Sequence, residues 1–169
     1  MKTPETTKES QALGLAIKTV VNNWDQQTKA ITDFFVKQPE SDYLIEVAPN
    51  RNKAAYLLGH IIATNDGLLP LLGFEERLFP ELDAYFTPNT EWNYDDFPSL
   101  KEWQEKWDLL NKTLSQHFNT LEPYQWLERH TKVSPEDFEI DSTRNKLNII
   151  IGRTLHMRYH LGQLNLIKF

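Results

Sequence analysis

Apolar residues return along this chain at intervals of three and four, the signature of helices with one face against a core. Leu13, Ile17, Val20, Trp24, Ile31, Phe34 and Phe35 trace such a stripe after a polar opening, MKTPETTKES. Pro39 closes it, because its ring cannot continue a helix. That predicts a first helix of about eight turns. A second begins near Asn50 or Asn52, either of which could cap it through its side-chain oxygen, and runs through AAYLLGHIIATND. Ala55, Leu58, Ile62 and Leu69 fall on or near one side, Pro70 kinks or ends the helix, and Gly73 is the terminal glycine.

Ser99 followed by Glu102 has the form of a capping box and gives the clearest helix start in the chain. Trp103, Trp107, Leu110, Leu114, Phe118 and Leu121 then form a core-facing stripe that Pro123 ends. The last helix, with Asp141, Ser142 or Thr143 as its cap, carries Ile149, Gly152, His156, His160, Gln163 and Ile167 along one line, a face that should look inward. Three connections remain. Glu40 to Asn52 is short. Phe74 to Pro98, rich in aromatics and acids, is long enough to pack across one end of a bundle as a lid or a contact surface, and Tyr124 to Asp141 is read as irregular. No stretch alternates like a strand, and no repeat or low-complexity segment is present. The expectation is therefore all-α: one four-helix bundle domain spanning residues 1–169, with long crossover connections.

Composition narrows the function. The 169 residues, 40% of them hydrophobic, suffice for one well-buried core. A net charge of −6 without a dense basic cluster argues against a nucleic-acid or anionic-membrane partner. No apolar run could span a bilayer, and the amino-terminal segment is polar where a signal peptide needs an apolar core, so a cytoplasmic location is expected. Cysteine is absent, which removes disulfides, thiolate ligands and a protein-borne sulfur nucleophile together. Any thiol chemistry must be brought in by a small molecule.

Candidate chemistry centres on histidine. His156 and His160 lie four residues apart, one turn of one helix, and so present two imidazoles on a single face. His60 sits mid-helix between Gly59 and Ile61, and only the fold could bring it to the other two. Three imidazoles around a divalent ion leave a coordination position open, as in catalytic sites. Zinc or nickel suits such ligands, with iron, copper or cobalt as alternatives. The plainer reading is that each is a hydrogen-bonded core histidine. Gln163 could orient a ligand histidine or simply pack. Asp66, Glu75 and Glu76 are candidates for a general base or an orienting carboxylate in a chain with 24 acids. His117 reads as a residue favoured by the carboxyl end of its helix, and His130 as a surface residue. Paired Glu-x-x-His motifs, as a di-iron bundle needs, are missing, since no glutamate stands three residues before any histidine.

LLGHIIATND in the second helix and HMRYHLGQL in the last resemble the DinB-like superfamily of metal-binding four-helix bundles. The resemblance covers nearly the whole chain in length and helix order and is specific at those two motifs. It implies that one histidine of the second helix and two of a terminal HxxxH bind a divalent metal, which here means His60, His156 and His160. Some members transfer a low-molecular-weight thiol to an electrophilic small-molecule substrate, and a homodimer is also implied. The alternatives are a metal-dependent hydrolase and a non-catalytic small-ligand or stress-response module.

Overall fold

The computed structural model describes residues 4–37, 39–86 and 98–167, with the side chains of 4–7 also left outside. It is all-helical: among the described residues there is no strand, only the isolated bridges Glu46 to Lys53 and Arg129 to Asn145. The α-helices are α1 (Pro4–Lys37), α2 (Ala54–Asp66), α3 (Leu68–Leu71), α4 (Leu100–Phe118), α5 (Pro135–Ile140) and α6 (Lys146–Leu164). Short 3-10 turns occupy Glu40–Leu44, Pro80–Tyr85 and Pro123–Leu127. Helix α1 packs on α6 and α4, and α2 packs on the same two helices. None of the described helices is long and apolar enough to cross a membrane.

Helix α2 is central because its composition leaves it nowhere else to go. Leu57, Leu58, Ile61 and Ile62 are all but inaccessible, and even Asn65 and Asp66 are fully buried. A helix apolar on most of its circumference must be surrounded by others. Gly59 permits the closest of these approaches. A Cβ placed there would lie 2.8 Å from the ring of Trp103 on α4 and 2.7 Å from that of Phe86. On α1 the predicted stripe is the one that is buried, with Ile17, Trp24, Ile31 and Phe35 inside. Trp24 meets Phe118 of α4 edge to face at 5.6 Å, and Trp107 Nε1 donates to Thr32 Oγ1 at 2.8 Å.

Helix ends decide where the structure departs from the sequence reading. Ser99 and Glu102 form the expected capping box at the start of α4. Gly73, at φ +77, takes the left-handed conformation that a terminal glycine favours. It closes α3 rather than α2, with Phe74 N–H donating to Leu69 O and Gly73 N–H to Pro70 O. Pro70 breaks nothing, since α2 has already ended at Asp66. Neither Asn50 nor Asn52 caps α2. Asn50 sits in a turn at φ 60, a conformation Asn tolerates, and the leading amide of Ala54 donates instead to Ile45 O at 3.1 Å. Helix α6 is capped by Asn145, whose side chain accepts from Asn148 N–H at 2.9 Å. Asp141, expected as a candidate cap, accepts from Thr143 in the preceding turn. The Tyr124–Asp141 connection is likewise more regular than expected, since it holds α5, which starts at Pro135 with Ser134 as cap.

Asp66 holds the end of α2 to the chain that follows. Its two carboxylate oxygens accept from Leu78 N–H at 2.8 Å, Phe79 N–H at 3.1 Å and Arg77 Nε at 3.0 Å. Arg77 also pairs with Asp83. A buried carboxylate with this many donors is costly to delete, because two amides and a guanidinium lose their partner. Asp66→Ala is expected to destabilise the fold by about 3 kcal/mol, against about 1 kcal/mol for loss of the exposed cap in Ser99→Ala. Urea denaturation of the two variants beside the parent measures the difference, and equal losses would remove Asp66 from this role.

Candidate metal centre

Three histidines from two helices meet with the same ring atom. His60 of α2 and His156 of α6, separated by 96 residues, bring their Nε2 atoms to 3.2 Å. His160 Nε2 lies 3.0 Å from His156 Nε2. The ligand atoms of all three fall within 4.8 Å of one another. At metal–nitrogen distances of about 2.0–2.1 Å, a tetrahedral angle puts ligand nitrogens roughly 3.3 Å apart, so these spacings suit a common cation. Without one, His156 Nε2 must satisfy two neighbours with one proton or one lone pair. A cation lets each nitrogen present a lone pair without sharing. The three residues could therefore hold a metal ion.

The ring of His160 is oriented by its own helix. Its Nδ1 lies 2.7 Å from Gln163 Oε1, while Gln163 Nε2 donates to Tyr159 Oη at 3.3 Å. Since Gln163 presents an acceptor, the proton of His160 is assigned to Nδ1, and Nε2 is left with a lone pair toward the cluster. His156 lacks such support: its Nδ1 is buried and has no hydrogen-bond partner among the described residues. His60 is held by rings. Tyr56, one turn earlier on α2, lies parallel to it at 6.1 Å, and Phe86 approaches edge-on at 5.9 Å.

Burial keeps the imidazoles neutral. Desolvation, with the neighbouring histidines and Arg153, lowers His60 and His156 to about 4. Desolvation also lowers His160, against the opposing hydrogen bond to Gln163. Neutral rings are what a cation requires, since a protonated ring has no lone pair on Nε2 to give.

The cluster lies at the edge of the core, which corrects the expectation of an inward-looking stripe. The fully packed line of α6 runs through Ile150, Met157, Leu161 and Leu164. The histidine line lies beside it, and of the three histidines only His160, at 8% exposure, is buried. His60 and His156 are half-buried, and Gly152 on the same line is exposed. The site is thus reachable from solvent.

The other candidates lie elsewhere. Asp66 is spent on residues 77–79, as described, and is not among the ligand atoms that converge. Glu75 pairs with His117 Nε2 at 2.7 Å, and that imidazole stacks on Phe74 at 4.5 Å. Glu76 is exposed. His130 is half-buried rather than on the surface, with Nδ1 enclosed and unpartnered. Sequence reasoning passed over Tyr56, Tyr159 and Arg153, although their helical spacing from the histidines, four residues before His60, three after His156 and three before His156, was there to read. No family model matches this chain, and no curated protein matches it.

Two outcomes follow from this geometry. Gln163→Ala leaves His160 Nδ1 without its acceptor and is expected to weaken metal binding roughly 10- to 100-fold, with the helical circular dichroism unchanged. Competition against a chromophoric chelator reads the loss, and unchanged affinity would reduce Gln163 to packing. The second outcome concerns the metal-free chain. Its unfolded histidines take up protons below their ordinary value of 6.5, while folded His60 and His156 resist until about 4, so stability present above pH 6.5 falls as pH drops through that window. Between pH 7 and 5 the loss is expected to reach on the order of 2–3 kcal/mol after discounting for partial exposure. His60→Gln/His156→Gln should flatten that slope in urea midpoints across the range, and a parent curve that is already flat would contradict the burial described.

Proposed function

We propose that this chain is a metal-dependent enzyme of the DinB-like four-helix-bundle kind, with α1, α2, α4 and α6 as the four helices. His60, His156 and His160 hold a divalent cation, zinc or nickel. A low-molecular-weight thiol is transferred to an electrophilic small molecule. The observation that carries this reading is the meeting of three imidazole Nε2 atoms from helices far apart in sequence. When bound, the cation favours thiolate over thiol, the form that attacks.

The residues of the chain do the rest. Gln163 keeps the His160 lone pair turned toward the cluster. Tyr56 and Phe86 wall His60 with aromatic surface, which limits water on that side. Three ligands leave a further position for a small molecule. The chain's lack of cysteine fits a sulfur supplied from outside. Hydrolysis is the weaker enzyme reading, because it wants a base beside the site and both Asp66 and Glu75 are engaged elsewhere. A homodimer belongs to the proposal. Leu15 on α1, Leu155 in the middle of α6 and Leu166 just beyond it, at 67%, 65% and 61% exposure, give it apolar surface.

Metal content is the first test. The chain purified without a histidine tag is expected to carry about one transition-metal ion, and His156→Ala and His160→Ala to lose it. Stoichiometry unchanged in those variants would end the metal reading. An aryl halide offered with and without a small thiol then separates the enzyme readings, since product that forms equally without thiol would sink transfer.

A further inference from the structure

Arg153 is a half-buried cation on the histidine face of α6, with no balancing charge among the described residues. It stands three residues before His156 and seven before His160 on α6, and therefore on their face of the helix. The residue is half-buried, and burial disfavours its charge. The other arginines with buried or bonded heads have partners: Arg77 takes Asp66 and Asp83, Arg144 takes Asp137, Arg129 bonds Val133 O, and Arg158 reaches Gln27. Arg153 has neither ion pair nor hydrogen bond among the described residues. One turn from His156 on the same face of α6, it borders the cluster, and its charge helps to lower His60 and His156.

An uncompensated charge of this kind is costly to a fold and is retained where something else balances it. The described residues supply no such balance. The cluster is built of neutral rings, and no carboxylate joins its ligand atoms. A divalent cation on those rings would place more positive charge near Arg153, and an anion between them would relieve both. A guanidinium meets a planar carboxylate with two parallel N–H donors, which adds direction to the attraction.

We propose that Arg153 anchors the carboxylate of the small molecule that reaches the histidine cluster, making the ligand an anion with its reactive end at the open metal position. This rests on the metal reading for the placement of that reactive end, while the role of Arg153 can be tested without it. The molecule selected is then a carboxylated thiol, and a neutral analogue binds poorly because the arginine is left unpaired.

Cobalt-loaded protein tests the assignment with 3-mercaptopropionate and 2-mercaptoethanol as probes, thiolate binding being read from the visible absorption of the metal. The parent is expected to bind the carboxylated thiol at least 10-fold more tightly. Arg153→Met should remove the preference, leaving affinity for 2-mercaptoethanol and the cobalt content unchanged, and Arg153→Lys should retain part of it. No preference in the parent, or a preference that survives in Arg153→Met, overturns the proposal. A metal-free measurement decides it separately. Removing a charge that no described residue balances is expected to raise the Tm of Arg153→Met by about 2–4 °C. A lower Tm would show that the arginine is a structural part of the fold and would overturn the proposal. Failure of the parent to take up cobalt would overturn the metal reading alone, leaving Arg153 to be judged on the Tm.

Discussion

The meeting of three ring nitrogens from two packed helices is the constraint on which this structure turns. Neutral imidazoles attract each other only through a proton that one of them must lend, so the meeting of His60, His156 and His160 is weakly cohesive by itself. What brings the three together is the packing around them. Helix α2 is fixed by apolar contact on most of its circumference, and Gly59 lets Trp103 and Phe86 come close at the level of the first histidine. Helix α6 is fixed by Ile150, Met157, Leu161 and Leu164, one line over from the other two. The core thus supplies the energy and the cluster accepts the position it is given.

That division explains why the site is at the rim. Were the histidine line also the packed line, solvent and ligand would be excluded together. Instead one ring is buried and held by Gln163, while the other two are half-buried, His60 beside Tyr56 and Phe86. Arg153 continues the same line toward the start of α6, one turn from His156.

Much of this was legible in the sequence, for reasons that differ from element to element. Periodicity located α1, α4 and α6, because a helix that buries one face must repeat its apolar residues. The capping box at Ser99 was legible because donor and acceptor sit within three residues of each other. Asn50 and Asn52 misled because the amide at the head of α2 is satisfied by Ile45, a partner that only the folded turn supplies. Asp66 misled in the same way: an acid after a histidine helix reads as chemistry, whereas its partners at 77–79 become visible only when the chain doubles back. The spacing of His156 and His160 was visible, and their convergence with His60 was reached through a likeness of motif rather than by derivation. The offset between the histidine line and the packed line was beyond a pattern of alternating residue types, since both lines satisfy helical periodicity.

The tie at Asp66 has a mechanical meaning. From residue 66 the chain runs out through Arg77 and the turn at Pro80–Tyr85, and Phe86 comes back to rest against His60 on the helix it left. Arg77 grips both the start of that excursion, at Asp66, and its middle, at Asp83. Helix α2 therefore carries its own gable: the ring that shelters the first histidine is braced from the far end of the same helix, and the two would tilt as a single rafter rather than slide past each other.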